Sequence, residues 1–179
     1  MPRRRLRQGR PDLQQAIGEL YETSGQADCA GDWYRKALGG YLRSTQRSEV
    51  HFYHHLADYS ADVAKDGAAA IVWARADLRL RENFSTQAAL AWAFYRNGQF
   101  DEARNWIDRA LTSGAVDAHL FARAAAIYSA AGNSTLGQRH MERAKELNPM
   151  VENFTFATER RLTKPGSRPL PFQRPCRLR

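Results

Sequence analysis

Apolar residues in the body of the chain recur at helical spacing, in stripes separated by short polar turns that contain glycine. Leu90, Ala91, Phe94 and Tyr95 form one stripe, and Ala103, Ile107, Ala110 and Leu111 form the next. Between them lies Arg96-Asn97-Gly98-Gln99-Phe100, in which Gly98 can take the left-handed conformation that closes the first helix. The plan recurs as Ala124, Ala125 and Tyr128, then Gly132, then Met141 and Ala144. Thr135 and Gln138 have the spacing of a capping box at the start of that last helix, and Pro149 after Asn148 stops it. The pattern predicts eight antiparallel helices over residues 11–151 and no strand.

A constant step underlies these stripes. Phe94 recurs as Tyr128, Gly98 as Gly132 and Ala110 as Ala144, each 34 residues on. The same step taken backwards leads from Ala110 to Ala76 and from Leu90 to Leu56. Periods of this size belong to stacked helical hairpins, in which no unit buries its apolar face alone.

The residues at fixed places in the period resemble the tetratricopeptide repeat. Residues 84–117 supply Leu90, Ala91, Phe94, Gly98, Ala103, Ile107 and Ala110, and residues 118–151 supply Phe121, Ala125, Tyr128, Gly132, Met141, Ala144 and Pro149. Residues 11–44 fit with Ile17, Gly18, Tyr21, Gly25, Ala30, Tyr34 and Ala37, and residues 50–83 with Tyr53, Leu56, Ala57, Ala69, Trp73 and Ala76. The resemblance implies an all-α fold, a right-handed superhelical solenoid of about four helix-turn-helix repeats. Alanines 57, 91, 110 and 144 are then expected where helices approach most closely.

Departures from the pattern are specific. Extra residues around Ser44–Glu49 separate the first two repeats, and Asp66-Gly67 is expected to carry the second repeat's turn two residues late. Gln14 and Gln87 stand where the pattern favours a large aromatic residue. Gly137 replaces alanine in the fourth repeat, a change that costs a helix about 1 kcal/mol. Residues 152–163 are expected to cap the array.

Charge is unevenly distributed. The formal net charge is +8, yet residues 1–10 hold five arginines and residues 160–179 hold six arginines and Lys164, with no acidic residue in either stretch. The body between them is mildly acidic. Residues 1–10 and the proline-rich 164–179 read as a disordered basic arm and tail. They could attract nucleic acid or an anionic surface by charge alone. Cys29 and Cys176 make neither a disulfide framework nor a metal pair, and Cys29 is expected as a small buried thiol. No apolar run reaches membrane-spanning length and no secretory signal opens the chain, so a cytoplasmic location is expected.

Two clusters are candidate binding residues. His51, His54, His55 and Asp58 fall on one helical region, and the resemblance implies that they face the concave groove of the solenoid. His51, His55 and Asp58 share a helical face that could hold zinc, but no glutamate follows the first histidine as in a metalloprotease motif. Ligand contact is the better reading, and no metal or cofactor is expected. Trp92, Tyr95 and Arg96 share a face of the third repeat, with Arg123 on the neighbouring helix of the same surface. Trp92 can serve there either as an exposed anchor or as core.

The clamp that related repeats use for chaperone carboxylate tails is absent, whether read at Gln15, Glu19, His55, Ser85 and Ala89 or one repeat later at His54, Asp58, Ala89, His119 and Arg123. No phosphate loop, nucleophile elbow or paired carboxylates at a strand end point to catalysis. The expected function is therefore non-catalytic: a scaffold that binds a peptide or protein segment in its groove. Nucleic-acid association through the arginine-rich ends is the alternative.

Overall fold

The computed structural model describes residues 9–151, which contain eight α-helices and no strand among the described residues. The expected capping helix (152–163) and tail (164–179), and all but Gly9 and Arg10 of the arm, lie outside the described residues. The described chain divides into two compact units, residues 9–52 and 53–151.

In the first unit, α1 (Pro11–Thr23) packs on α2 (Ala27–Gln46). Pro11 presets the first helical φ and Asp12 places a negative charge at the N-terminal end of the dipole. Gly25 turns the chain at φ +79°. A Cβ on Gly18 would stand 2.7 Å from the Tyr34 ring, so glycine here lets the ring lie flat on α1. The Tyr34 and Tyr41 hydroxyls donate back to Glu22 at 2.6 Å and to Gln15 at 2.9 Å. The extra residues around Ser44–Glu49 lengthen α2 instead of forming a loop; Ser48 then reverses the chain at φ +59°, into a single 3-10 turn (Val50–Phe52). Cys29 is buried as expected, but it is disulfide-bonded and not a free thiol. The chain's other cysteine, Cys176, is outside the described residues.

The second unit holds α3 (Tyr53–Asp58), which continues as one π-helical turn (Tyr59–Val63), then α4 (Gly67–Leu80), α5 (Phe84–Arg96), α6 (Phe100–Thr112), α7 (Ala118–Ala130) and α8 (Ser134–Leu147). Each helix packs on the next, and α3 also touches α5 and α5 touches α7. The first helices of three successive hairpins thus meet one another. Their shared core includes Leu90, Trp92, Phe94, Ile107, Leu120 and Ile127, with alanines at the close approaches. Ala57, Ala91, Ala110 and Ala144 are all buried.

The second hairpin departs from the expected register. Its buried α4 positions are Ala70, Ala74 and Asp77, not Ala69 and Ala76, which are half-exposed. Ala57 still lies 34 residues before Ala91, but Ala74 and Asp77 lie 33 before Ile107 and Ala110. The π-helical turn explains the slip, because its wider winding takes up one extra residue before the chain turns. The turn itself is made by Lys65 at φ +55°, one residue late and not two. Asp66 caps α4 by accepting from the Ala69 amide, while Gly67 starts the helix against the backbone of Asn97.

Caps differ too. Asn133, not Thr135, accepts from the Leu136 amide at the start of α8. A true capping box joins Asn83 and Thr86 at α5. Gly137 is required by packing: a Cβ there would stand 2.2 Å from Ser129 Oγ and 2.9 Å from the Ala125 carbonyl oxygen.

Candidate functional site

Side chains from the π-helical turn, α5 and α7 converge on Trp92. Its indole is 2% exposed, which settles the choice left open by the sequence: Trp92 belongs to the core. It is nevertheless a polar junction. Nε1 donates to both carboxylate oxygens of Asp62 at 3.1 Å, and the Tyr95 ring stacks on the indole with centroids 4.8 Å apart. The Arg96 and Arg123 guanidinium groups lie 5.9 and 5.6 Å from the Trp92 ring centre, within cation–π range.

Each arginine is matched by a carboxylate of the α3 region. Arg123 Nη2 meets Asp58 Oδ1 at 2.8 Å, and Arg96 Nε donates to the Ala61 carbonyl at 3.1 Å, with Asp62 Oδ1 at 3.4 Å. The one-residue insertion matters here, because the π-helical turn puts Ala61 and Asp62 within reach of α5. His54 extends the network to α4, with Nε2 3.3 Å from Asp58 and Nδ1 3.7 Å from Asp77. Asp77, buried at the slipped small-residue position, accepts from Arg81 Nε at 3.2 Å.

The two neighbouring carboxylates respond oppositely to this setting. Burial acts against the charge of Asp58, but Arg123, His54 and His55 together outweigh it and hold the group below the ordinary carboxylate range. For Asp62, burial and then the charge of Asp58 push the carboxyl up to about 6, against the pull of Arg123, Arg96 and the indole N–H.

The structure therefore brings Trp92, Tyr95, Arg96, Arg123, His54 and Asp58 together, as the sequence suggested for the first four. His51 does not share their helix: it lies exposed on the 3-10 turn, its ring centre 4.0 Å from that of Phe52. His55 follows His54 on α3, the two rings meeting edge-on at 5.9 Å. No set of three histidine, cysteine, aspartate or glutamate side chains capable of holding a metal occurs among the described residues. Asp62 and Asp77 were not singled out by sequence. The four-residue step from Asp58 to Asp62 was a usable signal, whereas Asp77 lay one residue from the expected register.

Beside the junction, Tyr95, Ala126, Ser129, Ala130, Gly137 and Met141 line a pocket of about 540 Å³. Its walls come from the ends of α5 and α7 and the first half of α8. The small side chains of α7 and the bare backbone at Gly137 make this opening. Among the described residues no helix is long and apolar enough to cross a membrane. No protein-family model matches the chain, and no curated protein matches its sequence.

Proposed function

We propose that this chain is a non-catalytic scaffold of the tetratricopeptide type, a helical solenoid of about four repeats that binds an extended segment of a protein partner. The observation that carries this reading is the small-residue pocket beside the charged junction. A concave, mostly apolar recess next to a few fixed polar groups suits one apolar anchor of a peptide. The succession α3, α5 and α7 would supply the surface along which the rest of the segment runs.

Trp92 supports that surface from beneath and does not touch the ligand. Arg96 and Arg123 already hold internal carboxylates, so a ligand acid would need to compete with Asp58 and Asp62. The anchor thus moves from Trp92 to the recess at Tyr95, Ala126 and Ala130. The proposed scaffold uses no metal or cofactor.

A displayed peptide library selected on the full chain tests this directly. Enriched peptides should share an apolar anchor and bind Ala130→Arg about thirtyfold more weakly, the usual scale for loss of a central anchor. Ala130 is exposed, so the variant's melting temperature should not change. Absence of enriched peptides, or peptides that bind Ala130→Arg as well as the parent, would overturn the reading.

A further inference from the structure

Helix α1 presents two opposed faces. Pro11, Gln15, Gly18 and Glu22 recur at spacings of four, three and four, and form the face that meets α2. A Cβ on Gly40 would stand 2.8 Å from the Pro11 Cβ, and one on Gly18 would stand 2.7 Å from the Tyr34 ring. Gln15 and Glu22 accept from the hydroxyls of Tyr41 and Tyr34. On the opposite side, Leu13, Ala16, Ile17 and Leu20 recur at i, i+3, i+4 and i+7. They form an apolar stripe two turns long that faces outward. Leu13 is 52% exposed and Leu20 69%, with Ala16 exposed and Ile17 half-exposed between them. Leu20 is the most exposed large apolar side chain among the described residues.

Charge and area decide what would cover this stripe. Residues 1–10 lead directly into α1 with five arginines and no acid. The acids of α1 are held off the stripe: Asp12 pairs with Arg10, Glu19 accepts from Gln15 at 3.0 Å, and Glu22 accepts from Tyr34. Two turns of helix offer far less than the roughly 800 Å² per partner of a stable protein interface, which argues against a second copy of the chain. A nucleic acid would use the arginines and leave the leucines in water. An anionic bilayer uses both, because its headgroups attract the arginines and the shallow acyl boundary takes up the leucines.

We propose that α1 is a reversible membrane-surface anchor. The stripe of Leu13, Ala16, Ile17 and Leu20 enters the headgroup layer of an anionic bilayer, while Arg10 and the arginines of residues 3–7 hold lipid phosphates. Guanidinium forks match phosphate oxygens in shape as well as charge. At 13 residues α1 is shorter than the roughly 20 needed to cross the hydrocarbon core, so it lies in the plane of the interface. Stable attachment takes two signals, and the apolar stripe and the basic arm supply one each. The inference stands apart from the peptide-scaffold reading, since its described residues all lie in the first unit.

Cosedimentation of the full chain with phosphatidylcholine vesicles, pure or with phosphatidylserine as about one lipid in three, gives the test. The parent should bind the mixed vesicles, release them as salt is added, and leave the pure ones unbound. Leu13→Gln with Leu20→Gln should weaken binding about thirtyfold, the scale for two half-exposed leucines that no longer enter an apolar layer. Arg4→Gln with Arg5→Gln should weaken it by a similar factor, about fivefold for each charge near the surface. Val72→Gln removes an apolar side chain from α4 that is 62% exposed, and should stay within about twofold of the parent. If the leucine pair variant does not fold by circular dichroism, Ala16→Trp adds an interfacial ring at an exposed position and should tighten binding. No binding by the parent, equal binding to both vesicles, or a leucine pair variant that binds as the parent does would each overturn the proposal. So would a Val72→Gln loss as large as the leucine pair's, an Ala16→Trp variant no tighter than the parent, or a parent dimer in sedimentation equilibrium that the leucine pair dissociates.

Discussion

Trp92 fills the centre of the core while its N–H serves a carboxylate, and this dual role explains why the sequence could orient it but not place it in depth. Helical spacing put Trp92, Tyr95 and Arg96 on one face, and the 34-residue step brought Arg123 close; all four do meet. Spacing gives a direction from the helix axis and says nothing of what lies further out. The missing layer is the turn holding Ala61 and Asp62, which covers the indole. Trp92→Ala should therefore cost about 3–5 kcal/mol of unfolding free energy in urea titrations, as for other buried aromatics. A loss below about 1 kcal/mol would return the residue to the surface.

At the scale of the element, the hairpins were legible wherever the register was continuous. Gly25, Gly98 and Gly132 all take positive φ at the turns, and α8 ends where Pro149 required. The second hairpin was not, because a π-helical turn leaves no mark in an apolar pattern: it adds one residue and shifts the positions of the helix that follows, α4. Asp77 then occupies the small-residue place, and its charge is met by Arg81 and His54. Gly137 is the counterpart at α8, where propensity alone argues for alanine. Gly137→Ala gains about 1 kcal/mol of helix propensity, but the new Cβ meets a backbone carbonyl at 2.9 Å that cannot turn aside. Overpacking of this kind costs about 1–3 kcal/mol. Thermal unfolding should show Gly137→Ala melting below the parent, and a higher melting temperature would mean that α7 and α8 separate easily.

Across the whole molecule, the dependence of stability on pH joins the buried network to the last hairpin through opposing terms. Asp62, held near 6 when folded, lies above the value near 4 of an unfolded aspartate. Between those values the folded chain keeps a proton that the unfolded chain has released, so this group's contribution falls as pH rises. His140 acts in the reverse sense. Stacked between Phe121 and Tyr128, with ring centres 5.9 and 5.1 Å away, it is held below the ordinary imidazole range chiefly by burial. Its stability contribution is present above pH 6.5 and is lost as pH falls through the folded value. Asp58, also depressed, loses its contribution only in stronger acid. Neither Asp62 nor His140 could be read from composition, because the same residue types titrate normally when exposed. Urea unfolding at a series of pH values separates them. Asp62→Asn should gain on the parent as pH rises from 4 to 7, because it lacks the falling term and its amide oxygen can still accept from Trp92. His140→Gln should instead gain on the parent as pH drops below 6.5, whatever constant packing loss it carries. Parallel curves for the parent and Asp62→Asn would show that the carboxylate is not held in the buried network described here.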